Sequence, residues 1–155
     1  MATFSEESAE IRLAREIMNF IRSQGFNFTA GQLTPADGNC FIHAVLQQLN
    51  RPSIAGDFVQ LRSVHHQVFR LLVRDFILGS THPKVTAMKK FHQELETGQS
   101  WVEYWETMGT TNTWADQFFT QATAWFLQRD IMIITISNYN PIRYSHNTAP
   151  AHGGI

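Results

Sequence analysis

The single cysteine of this 155-residue chain, Cys40, sits in the stretch "TPADGNCFIHAVLQQL", residues 34–49. Pro35, Ala36, Asp37, Gly38 and Asn39 read as a turn that delivers the thiol into a run whose apolar residues recur every three or four positions. A cysteine in the first turn of a helix meets unpaired backbone N–H groups and the positive end of the helix dipole, and both favour its thiolate. Together with the amides of the turn, those N–H groups can also point at an oxygen that becomes negative during acyl transfer. Gly38, lacking a Cβ, lets the backbone fold tightly and leaves room for a substrate carbonyl. The Asp37 carboxylate disfavours a nearby thiolate, so its expected role lies in the shape of the turn or in its backbone N–H. The competing reading of Cys40 is a small, inert, buried apolar residue.

A helix terminus alone does not make a nucleophile. A free thiol with a pKa of about 8.5 is only a few per cent ionised at pH 7, and about 0.3–1 kcal/mol from a helix end lowers that pKa by less than about one unit. A cysteine hydrolase therefore needs a histidine to take the thiol proton and later give it to the leaving amine. The chain has seven. His43 falls three residues after Cys40 on the same helix, where packing is the expected role and a base role the alternative. His65 and His66, being adjacent, are expected on different sides of a helix; His82 precedes Pro83 in a loop, and His92 sits in a polar helix, so all four read as surface residues. His152 could swing toward Cys40 from the tail, and His146 is the weaker tail candidate. There is no His-Glu-x-x-His pattern, and one cysteine cannot build a structural zinc site, so neither metal nor cofactor is expected.

The elements that must position these groups follow from periodicity. Thr3 and Glu6 resemble a capping box ahead of a helix over 5–24, with Ile11, Leu13, Ala14, Ile17, Met18 and Ile21 on its apolar stripe and Gly25 as its stop. The spacing predicts a second helix from Cys40, with Phe41, Ala44, Val45 and Leu49 inward and Ile42 and Leu46 widening the face until Pro52. Leu61, Val64, Val68, Leu71, Leu72 and Phe76 mark a third, closed by Gly79 and Pro83. Val85 to Gly98 reads as a weaker helix, Trp101 to Met108 as an aromatic cluster, and Gln117 to Leu127 as another helix. Ile131 to Ile136 is the one convincing buried strand, and 137–155 has a loop composition. Trp101, Tyr104, Trp105, Trp114 and Trp125 are expected in the core rather than on a base- or sugar-binding platform, because the interleaved charges Glu103 and Glu106 are acidic.

Composition narrows the setting. Hydrophobic residues make up 43% and charged ones 16%, which favours a packed globule, and a formal charge of −1 gives no pull toward nucleic acid or anionic membrane. No apolar run approaches the roughly 20 residues needed to span a bilayer, and the start lacks the regions of a signal peptide, so a soluble, reducing, cytoplasmic setting is expected.

"DGNCFIHAVLQQL" resembles the nucleophile motif of the ovarian-tumour (OTU) family of cysteine proteases, where an Asp-Gly-Asn-Cys turn runs into a helix. "LRSVHHQVFRLLVRDFI" is similar to the helix that follows the nucleophile in that family, and "WVEYWETMGTTNTWADQFFTQATAWFLQRDIMIITI" to its Tyr-rich segment, Trp-containing turn, helix and core strand. The resemblance runs from about Phe28 to Ile136 and implies an α+β, papain-like domain over 1–155, with helices on a small central sheet. It implies hydrolysis of isopeptide or peptide bonds made by the C-terminus of ubiquitin or a ubiquitin-like modifier. Cys40 is then the nucleophile, with oxyanion donors among the amides of Asp37, Gly38, Asn39 and Cys40. Trp114 and Asp116 match a turn near the site, with Ala115 where the family commonly has glycine. The family's histidine follows the core strand and carries an aromatic after it, whereas His146 is followed by Asn147 and His152 by Gly153. The expectation is that the sequence stops before that histidine and the strands around it. The alternative to a deubiquitinase is thus a non-catalytic domain that binds ubiquitin or another protein in an extended groove.

Overall fold

The computed structural model describes residues 9–23, 25, 37–51, 56–61, 63–133 and 142–147. The chain divides into two compact units, Met1–Ala30 with Met132–Arg143, and Gly31–Ile131 with Tyr144–Ile155. The architecture is α+β: helix-rich, with one two-stranded sheet among the described residues.

In the first unit, α1 (Ala9–Ser23) ends where the sequence places its stop. Gly25 adopts φ +91° and donates its N–H to the Arg22 carbonyl at 3.0 Å, a left-handed conformation that glycine reaches without penalty. The Thr3–Glu6 pair lies outside the described residues. Strand β1 (Ile131–Ile133) pairs with β2 (Ile142–Tyr144). Two expectations change here. Met132 is exposed and its neighbours are only half-buried, so β1 is not the fully buried strand that its run of β-branched residues suggests; residues 134–136 lie outside the described set. The tail, read as loop, contains β2, because three residues are too few for alternation to show through the surrounding Asn and Pro.

In the second unit the helices are α2 (Cys40–Leu49), α3 (His66–Leu78), α4 (Pro83–Glu94), α5 (Trp101–Met108) and α6 (Gln117–Leu127), with a 3₁₀ turn at Gly56–Leu61. Each later helix starts on a side-chain cap. His65 Nδ1 accepts from Gln67 N–H and His82 Nδ1 from Lys84 N–H, both at 3.1 Å, and Pro83 occupies the first turn of α4, where its missing N–H costs nothing. Ser100 and Glu103 form a reciprocal capping box on α5, and Asp116 caps α6 through Phe119 N–H at 2.9 Å.

Helix α3 packs against α2, α5 and α6, while α4 packs on α5. Its inward face is Phe69, Arg70, Val73 and Ile77, not the stripe through Val68 and Leu72, which are exposed. The misreading has a clear cause: an arginine on the inward face hid the period, and Leu61 and Val64 belong to the segment before the helix. On α2 the same rotation occurs, with Ile42 and Leu49 buried and Ala44 exposed. The core between α4, α5 and α6 is aromatic. His92 lies within it, 1% exposed, in edge or tilted contact with Trp101, Tyr104 and Phe118. It is therefore not a surface residue; the flanking Lys89, Lys90, Gln93 and Glu94 conceal the Val85–Met88–His92 stripe.

Candidate active site

The turn that leads into Cys40 is built by its own short-range bonds. Asn39 N–H donates to Asp37 Oδ1 at 2.9 Å, and Cys40 N–H donates to the Asp37 carbonyl at 3.2 Å, so the Asp37 carboxylate closes the turn. The Asn39 carbonyl then accepts from His43 N–H at 3.0 Å, the first full helical bond of α2. Cys40 is partly exposed at the mouth of that helix.

Asn39 occupies the N-cap position, where asparagine commonly spends its side-chain oxygen on the first-turn amides. Here it makes no such cap. Its Oδ1 instead accepts from Asn112 N–H at 2.8 Å and its Nδ2 donates to Asn112 Oδ1 at 2.9 Å. The first-turn N–H groups of α2 are thereby left without a side-chain cap, although the Cys40 N–H is held by the Asp37 carbonyl.

Gly38 is buried, and the reason differs from the expected one. A Cβ built on it would lie 1.7 Å from the Asn112 carbonyl oxygen, so the space beside its Cα is filled by the 109–113 loop rather than kept open for a substrate. Asn112 itself adopts φ +67°, a left-handed conformation that asparagine tolerates better than most residues.

Arg70, fully buried, lies beneath both segments. Its Nη2 donates to the Gly38 carbonyl at 2.7 Å, Asn39 Oδ1 at 3.0 Å and the Thr113 carbonyl at 2.5 Å; its Nη1 reaches the Met108 carbonyl at 2.8 Å, and its Nε lies 3.3 Å from Asn39 Oδ1. The guanidinium carbon also sits 5.9 Å from the Phe119 ring centroid. Burial pulls the Arg70 pKa below the ordinary arginine value, with Asp37 acting the other way.

The His43 ring lies tilted against His66, with centroids 4.9 Å apart and planes at 57°, and His66 lies tilted against His65 at 4.2 Å and 31°. The two adjacent histidines therefore touch ring to ring instead of facing opposite sides, because α3 starts at His66 and leaves His65 outside the helical screw. Burial first, then His65, His43 and Arg70, push the His66 pKa down. His146 Nδ1 lies 2.7 Å from Asp130 Oδ1, which also accepts from His146 N–H at 3.0 Å. Among the described residues no side chain makes a hydrogen bond with the Cys40 sulfur. His152 lies outside the described residues.

Trp114 is 60% exposed, so it is not the core residue expected; its neighbours Thr113 and Asp116 are held, by Arg70 and by Tyr104, while the indole is not enclosed. Burial, and then Asp116, push the Tyr104 hydroxyl pKa up, keeping it protonated as a donor to that carboxylate.

A family model described as OTU-like cysteine protease matches residues 35–151, about three quarters of the chain, starting at the turn and running past β2. The chain belongs to this family. Neither the curated proteins nor the solved structures contain a match. In this OTU-like chain, Asp37, Gly38, Asn39 and Cys40 come together as one hydrogen-bonded turn. Arg70 and Asn112 are the residues of the site that sequence reasoning passed over. The available signal for Arg70 was its place beside Phe69, Val73 and Ile77, which recur every four residues in "HHQVFRLLVRDFI". No helix among the described residues is long and apolar enough to cross a membrane.

Proposed function

We propose that the chain is a thiol-dependent isopeptidase acting on bonds made by the C-terminus of ubiquitin or a ubiquitin-like protein. The observation that carries this reading is the uncapped mouth of α2: Cys40 is partly exposed there, and the Asn39 side chain is turned away toward Asn112. The Cys40 thiolate attacks the carbonyl carbon of the modifier's terminal residue, forming a C–S bond while the carbonyl oxygen takes the negative charge. Of the amides expected to receive that charge, those of Asn39 and Cys40 already donate to Asp37, so the Gly38 amide and the later first-turn amides of α2 are the donors this reading assigns to the oxygen. Collapse breaks the C–N bond, and the amine leaves with the proton that the base took from sulfur. Water then hydrolyses the thioester, which restores the thiol and frees the carboxylate. His152 is the tail residue that the sequence offers as base, and Asp37 acts through the shape of the turn.

A ubiquitin carrying a C-terminal electrophile tests the reading. Slow labelling of Cys40 is expected, lost in Cys40→Ala; rapid labelling that disappears in His152→Ala identifies the base. A wild-type chain that neither binds ubiquitin nor reacts with the probe would sink the proposal. Binding without any labelling favours the non-catalytic groove, in which an extended tail is held by backbone hydrogen bonds alone.

A further inference from the structure

We infer that Arg70 is the positioning residue of the nucleophile turn, acting through the Gly38 carbonyl and the Asn39 side chain; this rests on the reading of Cys40 as nucleophile. Three observations converge on it. The guanidinium is fully buried, and its hydrogen bonds end on four oxygens, three of them main-chain carbonyls from two separate segments. Space filling alone does not account for this, since an uncharged side chain would fill the same volume without the desolvation cost of a cation.

The bonds also have a direction. By drawing the Gly38 carbonyl oxygen inward at 2.7 Å, Arg70 fixes the peptide between Gly38 and Asn39 with its oxygen on the buried guanidinium and its N–H on Asp37. A peptide flip would break the Asn39 N–H bond to Asp37 and turn a carbonyl dipole toward a developing oxyanion. By drawing in Asn39 Oδ1, which Asn112 N–H also uses, Arg70 keeps that side chain off the first-turn amides of α2. The same Nη2 holds the Thr113 carbonyl, so the 108–113 segment and the turn share one anchor. Lysine cannot substitute. Its single ammonium has three donors and no planar fork, whereas the site uses all three guanidinium nitrogens.

The test compares the full-length wild type with Arg70→Lys, by amide hydrogen exchange and by the ubiquitin electrophile. Expected in Arg70→Lys is exchange faster by about tenfold or more at the Asn39 and Asn112 amides, with amides of α6 unchanged within about twofold. The maximal labelling rate of Cys40 should fall by about a hundredfold with little change in the half-saturating probe concentration, as misplacement without lost binding predicts. Uniform acceleration of exchange along the chain, or unchanged Asn39 and Asn112 amides, overturns the inference and reduces Arg70 to a core residue. If the wild type does not react with the probe, the isopeptidase reading fails on its own, and the exchange pattern still decides the role of Arg70. Should Arg70→Lys fail to fold, Asn39→Ala, which removes the oxygen shared by Arg70 and Asn112, carries the same expectation for Asn112.

Discussion

Two polar groups are buried in the helical unit by opposite strategies. Arg70 carries a charge into the interior and meets an oxygen with each of its nitrogens, while His92 enters an aromatic box where its Nδ1 has no partner and its Nε2 lies 3.5 Å from Thr97 Oγ1. Neither is exposed. The first arrangement sets directions, since each bond constrains where a main-chain oxygen points; the second sets only volume, with the imidazole acting as one more ring among Trp101, Tyr104 and Phe118. Geometry that a reaction needs is thus written in satisfied polar contacts, and bulk in rings.

Breaking the directional half should cost most. Arg70→Met strands the Gly38, Met108 and Thr113 carbonyls, and a summed loss of about 3–5 kcal/mol is expected, seen as a melting temperature lower by on the order of 10 °C. Gly38→Ala comes next. Because the added carbon meets main-chain atoms of Asn112 rather than a flexible side chain, the turn must shift, with about 2–3 kcal/mol lost in urea unfolding and Cys40 labelling reduced together.

The volumetric half should show itself in acid. Burial lowers the pKa of both His92 and His66, so the folded state resists protonation that the unfolded chain accepts. Stability is therefore complete above about pH 6.5 and falls as pH drops through that value toward the folded-state pKa. His92→Met, which keeps an apolar filler, should flatten the slope of urea midpoint against pH between pH 7.5 and 5, whereas unchanged slope would assign the acid sensitivity to His66. The smallest effect is expected for Trp114→Ala: the indole is mostly exposed, so thermal stability should move by no more than about 0.5 kcal/mol, and any larger change in probe binding would mark it as a contact surface.

The legible parts of the molecule were those with few conformational alternatives. Gly25 and the Asp-Gly-Asn turn announced themselves because glycine and Asx residues have local reasons to be where they are; the Ser100–Glu103 box and the Asp116 cap act within one turn of chain too, but the sequence reading did not name them. Arg70 was passed over, and His92 and Trp114 were misplaced, for the converse reason. A residue's polarity predicts exposure only on average, and these three are decided by partners distant in sequence: Asn39 and Gly38 for Arg70, the α5 and α6 rings for His92, and the held main chain on either side for Trp114. Strand β2 escaped notice because three residues carry too little alternation to stand out.

The bonds between Asn39 and Asn112 span 73 positions of sequence. Closing so long a loop costs chain entropy that must be met before the pairing contributes. During synthesis the four-residue motif leaves the ribosome long before the segment that completes it, and until Asn112 and Thr113 emerge the thiol stands on an unfinished turn. Under the proposed function, reactivity at Cys40 is consequently a report on the 108–113 segment having joined the turn, not on the motif having been made.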